Sequence, residues 1–455
     1  MKDIHVAVDK YRQLILDAER YIWAHPETGY KEFETSSYLA KKFEELGYKL
    51  TYAEGITGFY TVVDTGREGP EVLVLGELDS IICPAHKEAN PETGAVHSCG
   101  HNAQCAALLG IAAALTDPAV LAKLSGRIRL CAVPAEELLE ITYRSKLKAE
   151  GKIKYFGGKS EFLSRGYFDG VDIALMVHTA KTYTVRLGSV GCIAKRMIYK
   201  GVAAHAGGAP WAGKNALYAA TTGISAANAI RETFHDTDLI RFHPIITRGG
   251  DMVNAIPEEV ELESYIRGKS FAAMESANAR VNQALVGAAY SLGTNIEIID
   301  MPGYSPLFND MNMCLVAKEA IEEVIPGIKF NIEPEFSTGS TDMGDLSTIM
   351  PVVHPYAGGA DGKSHGSDYQ VVDPENACVN SAKWQVAMLK ILLGNGAERA
   401  KKIIAEFTPM FPTAKAFLDY QDSINTSGDR ITYNADGSAV IVGGVVASAA
   451  GEEKV

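Results

Sequence analysis

Three apolar runs, EVLVLGEL (71–78), RIRLCAV (127–133) and DIALMV (172–177), constrain this chain most, because residues that ionise or bind metals stand at or just past the end of each. Runs with so little polar alternation are expected of strands inside a sheet covered on both faces. Helical spacing over 4–24, with Val8, Tyr11, Ile15, Ala18 and Ile22 in phase, over 34–46 up to Gly47, and over 103–115 predicts an α/β arrangement. Glu77 and Asp79 end the first run, Glu136 and Glu137 follow the second, and His178 ends the third. In open α/β sheets, ligands gather beyond the carboxyl ends of the strands.

Cys99 and His101 stand two residues apart at a predicted strand-to-helix junction, and His365 lies in the glycine-rich loop AGGADGKSHGSDY. A thiolate, imidazoles and carboxylates aimed at one point suit a divalent ion such as zinc or manganese. Each residue also has a plainer reading. A lone histidine at a strand end is commonly a hydrogen-bonded structural residue, a buried cysteine is commonly core, and an aspartate after a strand is commonly a turn or cap. Their joint occurrence at successive strand ends points to a metal site, with one glutamate of the adjacent pair as ligand and the other handling protons.

At 455 residues and 47% hydrophobic content, the chain is long enough for two or three cores. A net charge of −13 without any basic run argues against a nucleic-acid partner. The seven cysteines are odd in number and scattered, which predicts reduced thiols. No apolar signal region opens the sequence and no stretch approaches a membrane-spanning length, so a cytoplasmic location without a membrane partner is expected.

The texture changes near 188 to alternating strands and a long alanine-rich helix around 214–231, and changes back near 304. The expected organisation is a catalytic domain over 1–187, an inserted α+β module over 188–303, and the return of the catalytic domain over 304–455, with helices at 309–324 and 380–393 and a C-terminal extension. In that extension, NTSGDRITYNADGSAVIVGGVV reads as two short strands joined at Ala-Asp-Gly, and GEEKV as a frayed end.

Six ordered landmarks carry a family resemblance: HPETGYKEFET (25–35), GELDS (76–80), HSCGHNAQ (97–104), PAEE (134–137), GVAAHAGGAPWAGKNAL (201–217) and NAIPEEVELESYIRG (254–268). The chain resembles the metal-dependent amidohydrolases of the M20 type, which include aminoacylases and carboxypeptidases. It most resembles the branch holding aminobenzoyl-glutamate hydrolase and β-alanyl-lysine dipeptidase-like proteins. The resemblance implies a phosphorylase/hydrolase-like metallopeptidase domain, a mixed sheet covered by helices, with the inserted module as lid and dimerisation domain. It further implies Cys99, His101, Glu137, His178 and His365 as ligands of one or two divalent ions, Glu136 as general base and Asp79 as the residue orienting a ligand. His205 would reach a partner subunit's site to stabilise the oxyanion, and Asn254 and Arg267 would bind a substrate carboxylate in a homodimer. The implied reaction is hydrolysis of an N-acyl amino acid, aminoacyl conjugate or dipeptide. Alternatives are hydrolytic deamination of an aromatic amine at the same site, or a catalytically silent binding relative.

Three departures from the family pattern stand out. Asn102 replaces an aspartate and is expected to cap the 103–115 helix, and Gln104 replaces a histidine. A long basic and aromatic segment follows Glu137, with Tyr143, Arg144, Tyr155 and Phe156, and reads equally as a substrate wall or as a surface helix.

Overall fold

The computed structural model describes residues 2–442, so GEEKV lies outside the described residues. The chain divides into two compact units, one of Met1–Gly188, Leu307–Ser337 and Thr341–Phe417, the other of Ser189–Pro306, Thr338–Ser340 and the chain from Leu418 onward.

The first unit is built on a mixed sheet of β1 (Thr51–Tyr52), β2 (Phe59–Asp64), β3 (Glu71–Glu77), β4 (Arg127–Val133) and β5 (Ile173–Leu175). The strand order is β1-β2-β4-β3-β5, with Val352–Val353 on the far edge. β3, β4, β5 and the edge strand run parallel, and β2 runs antiparallel to β4. Every residue of β3 is buried, as its unbroken apolar character predicts. Glu77 pairs with Val133, so β3 and β4 finish level. The chain steps from β3 to β4 on one side and then back past β3 to β5, the kind of reversal at whose carboxyl edge open α/β sheets bind ligands.

Helical periodicity over 4–24 is interrupted: α1 (Lys2–Asp9) and α2 (Arg12–Ala24) flank Tyr11, which has ψ 14°. The break is invisible in the pattern because Val8, Ile15 and Ile22 all stay buried in one core. α3 spans Phe33–Glu45. α4 (His101–Leu115) is buried along its whole length, which accounts for a sequence apolar on all sides. It starts two residues earlier than expected, and Asn102 is not its cap. Gly100 occupies that position with φ 93°, where a side chain would collide with the Tyr369 hydroxyl. The Asn102 amide instead donates to buried Glu19 at 2.8 Å.

The second unit is an antiparallel sheet of β6 (Gly191–Lys200), β7 (Glu259–Gly268) and β8 (Asn295–Tyr304), accompanied by helices Ala216–Ala229 and Phe271–Ser291. Along β7 buried and half-buried residues alternate, the signature of a sheet with one covered face. A buried polar cluster ties β6, β8 and the long helix together: the Lys195 ammonium pairs with Asp300 and donates to Asn282 at 2.7 Å, and Asn278 donates to Asp300 at 2.9 Å.

Contrary to the expected 304–455 segment, the described residues from Leu418 onward belong to the second unit and not to the larger one. β9 (Thr426–Asp429) pairs with the β8 edge, and the Tyr420 hydroxyl donates to Glu275 at 2.7 Å. Main-chain pairing with a strand more than a hundred residues earlier leaves no local mark in the sequence. The two short strands joined at Ala-Asp-Gly are Ile431–Tyr433 and Ala439–Ile441, paired antiparallel.

Candidate metal centre

At the carboxyl ends of β3, β4 and β5 the first unit gathers Cys99, His101, Glu136, Glu137 and His178, and the glycine-rich loop brings in His365. The ligand atoms of Cys99, His101 and His178 lie within 4.8 Å of one another, and so do those of Cys99, Glu137 and His365. Cys99 belongs to both groups. Its Sγ is 3.3 Å from His178 Nε2, and His365 Nε2 is 3.0 Å from Glu137 Oε1. His365 is held in the left-handed region, φ 62°, with its N–H donating to the Ser98 carbonyl at 2.9 Å. Holding a non-glycine residue there costs energy that the surrounding loop must offset.

Asp79 organises the cluster from behind. Its backbone oxygen, at 2.9 Å, and its Oδ1, at 3.3 Å, face His101 Nδ1, while its Oδ2 accepts from the Glu137 N–H at 2.8 Å. With the Nδ1 proton so engaged, Nε2 of His101 presents its lone pair to the cluster. His101 Nε2 is buried yet lacks a hydrogen-bond partner, and Glu137 Oε1 faces only His365. Buried ligand atoms grouped around Cys99, in a set mixing thiolate, imidazole and carboxylate, fit a divalent transition metal.

The electrostatics follow from burial and crowding. Burial pushes the Cys99 thiol up, but His101 and His178 outweigh it and hold Cys99 well below its ordinary value. Burial, then the Cys99 charge, pushes Glu137 up to about 7 against the pull of His365. Glu136 is raised well above the usual carboxylate range by burial and by Glu77, Glu137 and Asp342. A bound dication favours the ionised forms of all these groups.

Several residues around the centre carried no signal of their own in the sequence. Lys159 is completely buried, with Nζ 2.5 Å from Glu77 Oε1 and also paired with Asp342. The acids around it outweigh burial and keep it charged. Glu32 accepts from the Ala135 N–H at 2.8 Å, just where Ala135 turns left-handed, φ 56°, ahead of Glu136. Arg144 lies on the expected amphipathic helix, Ile141–Ala149, but on its buried face with Ile141 and Leu147, donating to the carbonyls of Phe156, at 2.7 Å, and Glu137. The available hint to Lys159 was the Gly157–Gly158 pair before it, for a side chain at Gly158 would overlap the Pro134 carbonyl.

The remaining candidates, His205, Asn254 and Arg267, lie in the second unit. His205 is exposed, and its Nδ1 accepts from the N–H groups of Gly207 and Gly208 at 3.2 and 2.9 Å, which leaves Nε2 as the donor. Asn254 is exposed, with its carbonyl accepting from the Ala206 N–H at 2.9 Å. Half-buried Arg267 donates to Ser340 Oγ at 2.6 Å.

Ligand-capable side chains beyond the ends of parallel strands, with a second acid beside them, define a metal-dependent hydrolase. The chain belongs to peptidase family M20/M25/M40, whose model matches residues 74–390, and is an amidohydrolase or metallopeptidase of that family. It is 27% identical to the mouse Xaa-Arg dipeptidase over 372 residues, 80% of each chain. It is 30% identical to one of the subunits of the Escherichia coli p-aminobenzoyl-glutamate hydrolase over 308 residues, 64% of this chain and 58% of that protein. Among solved structures it resembles a dinuclear metal-binding peptidase of the M20 family from Bacillus subtilis, with TM-score 0.62 and 20% identity, covering 85% of this chain and 99% of that one. No helix among the described residues is long and apolar enough to cross a membrane.

Proposed function

We propose that this enzyme hydrolyses the amide bond of an N-acyl amino acid, aminoacyl conjugate or dipeptide, with two zinc or manganese ions held by Cys99, His101, Glu137, His178 and His365. The observation that carries this reading is that Cys99 belongs to two separate groups of ligand-capable atoms, with a second buried glutamate, Glu136, beside them. The bound metal would lower the pKa of water toward about 7 and polarise the amide carbonyl.

The side chains supply the rest. Glu136 takes the proton of the attacking water and returns it to the leaving amine, a role suited to a carboxyl made basic by burial and neighbouring acids. Asp79 orients His101 and the Glu137 backbone with one carboxylate. His205, with Nδ1 occupied by two backbone N–H groups, offers Nε2–H to the developing oxyanion. Asn254 and Arg267 hold the substrate carboxylate, the guanidinium through its planar fork. In this reading the protein is a cytoplasmic homodimer joined through the second unit, and each His205 serves the other subunit.

Metal analysis of the purified protein, combined with a screen of N-acyl amino acids and dipeptides before and after chelation, tests the proposal. It expects two ions per chain and hydrolysis that disappears on chelation and returns with metal. Undiminished activity in metal-free protein, or a metal-loaded protein inert toward every amide in the screen, would refute it.

A further inference from the structure

A third group of ligand-capable atoms shares His101 with the first: those of Glu77, His101 and Glu136 are also within 4.8 Å of one another. Glu77 Oε2 stands 3.3 Å from His101 Nε2, the atom whose lone pair faces the cluster. By position alone Glu77 is as eligible a ligand as Glu137. The two differ in what already occupies their oxygens. Glu137 Oε1 faces only His365 Nε2, 3.0 Å away and itself a candidate ligand, whereas Glu77 has Lys159 Nζ on Oε1 at 2.5 Å and the Gln104 amide on Oε2 at 2.9 Å.

The ammonium is firmly placed. It also pairs with Asp342, and the Lys159 backbone N–H donates to Asp342 Oδ2 at 3.0 Å. Gly158 packs its backbone directly against the Pro134 carbonyl, so the helix carrying Lys159 is pinned to the loop that carries Glu136. A carboxylate that stays ionised when buried needs a cation beside it. Here a fixed point charge from the protein does what a bond to metal would otherwise do.

We propose that Lys159 is a positioning residue that keeps Glu77 out of the metal coordination, confining the ions to the two groups that share Cys99 and leaving Glu136 available for proton transfer. The inference rests on the ligand assignment above. Without the ammonium, Glu77 would turn an oxygen to the ion at His101 and draw Glu136 into a third site.

Cobalt(II)-substituted protein tests this without relying on turnover. In the parent, a thiolate-to-cobalt absorption band reports coordination by Cys99, and the intensity of the visible bands reports the number of ligands. Glu77→Gln should keep the parental metal content and spectrum, since Glu77 is not a ligand. Lys159→Met should show visible bands weakened severalfold as an oxygen is added, and the Lys159→Met/Glu77→Gln double variant should return to the parental spectrum. An unaltered spectrum in folded Lys159→Met, or an altered one in Glu77→Gln, overturns the proposal. Should Lys159→Met not fold, the Glu77→Gln single variant and the double variant, which removes both buried charges, still decide by the same criterion: both must match the parent. Absence of the thiolate band in the parent overturns the ligand assignment and this proposal with it, whereas an unaltered Lys159→Met overturns this proposal alone.

Discussion

Glu136 and Glu137 are adjacent and both buried, at 6% and 8% exposure, yet they should fail differently. The backbone between them does not depend on either carboxyl: Asp79 holds the Glu137 N–H at 2.8 Å, and Arg144 holds its carbonyl. A glutamine at either position therefore alters charge with little change of shape. Glu136→Gln should keep its metal and lose about two to four decades of turnover, the range for losing a general acid–base group, or about 3–5 kcal/mol of transition-state stabilisation. Glu137 Oε1 lies 3.0 Å from His365 Nε2 and within reach of Cys99, so Glu137→Gln removes the anionic member of one ligand group. Loss of residues that merely orient a ligand costs about 10–100-fold in metal affinity, so loss of a ligand charge should cost roughly 100-fold or more. Equilibrium dialysis against buffered zinc, followed by turnover at saturating metal, separates the two effects. Full activity in Glu136→Gln, or equal loss of metal in both variants, would refute the division of roles.

Arg267→Ala should weaken binding by roughly 1.5–3 kcal/mol for substrates bearing a free carboxylate; equal losses on the free acid and its carboxamide would mean that Arg267 serves only Ser340 and the fold. If His205 acts across a two-fold interface, mixing the inactive variants Glu136→Ala and His205→Ala should restore roughly a quarter of parental activity, since about half of the dimers are mixed and each has one intact centre. No recovery despite demonstrated subunit exchange would place His205 outside the partner's chemistry. In the second unit, Lys195→Ala strands Asp300 among Asn278 and Asn282 and should destabilise that unit by about 3–5 kcal/mol, read by thermal unfolding, while replacing Lys195 and Asp300 together by apolar residues should recover most of the loss. A Lys195→Ala protein as stable as the parent would show that the pair contributes nothing.

The strands of the first unit were legible in the chain because burial on both faces forces an unbroken apolar run, a local property of seven or so residues. Glu136, Glu137 and His178 were legible for the same reason, since a residue at the end of such a run is delivered to a known edge of the sheet, whereas Cys99 and His101 were legible from their two-residue spacing ahead of a helix. The partners of those residues were not. His365 meets Glu137 only through closure of a long loop, and Lys159 meets Glu77 and Asp342 across segments with no sequence relation. A lysine in a polar stretch reads the same whether its ammonium is solvated or wholly buried. Arg144 likewise sits in a stretch that looks amphipathic, and only the folded chain shows its guanidinium turned inward to two carbonyls. The pairing of β9 with β8 joins segments whose hydrogen bonds are made by the main chain, which is alike at every position. Burial pattern is written along the chain, whereas the partner of a buried charge or an open strand edge is chosen through space by whatever the tertiary fold brings within about 3 Å.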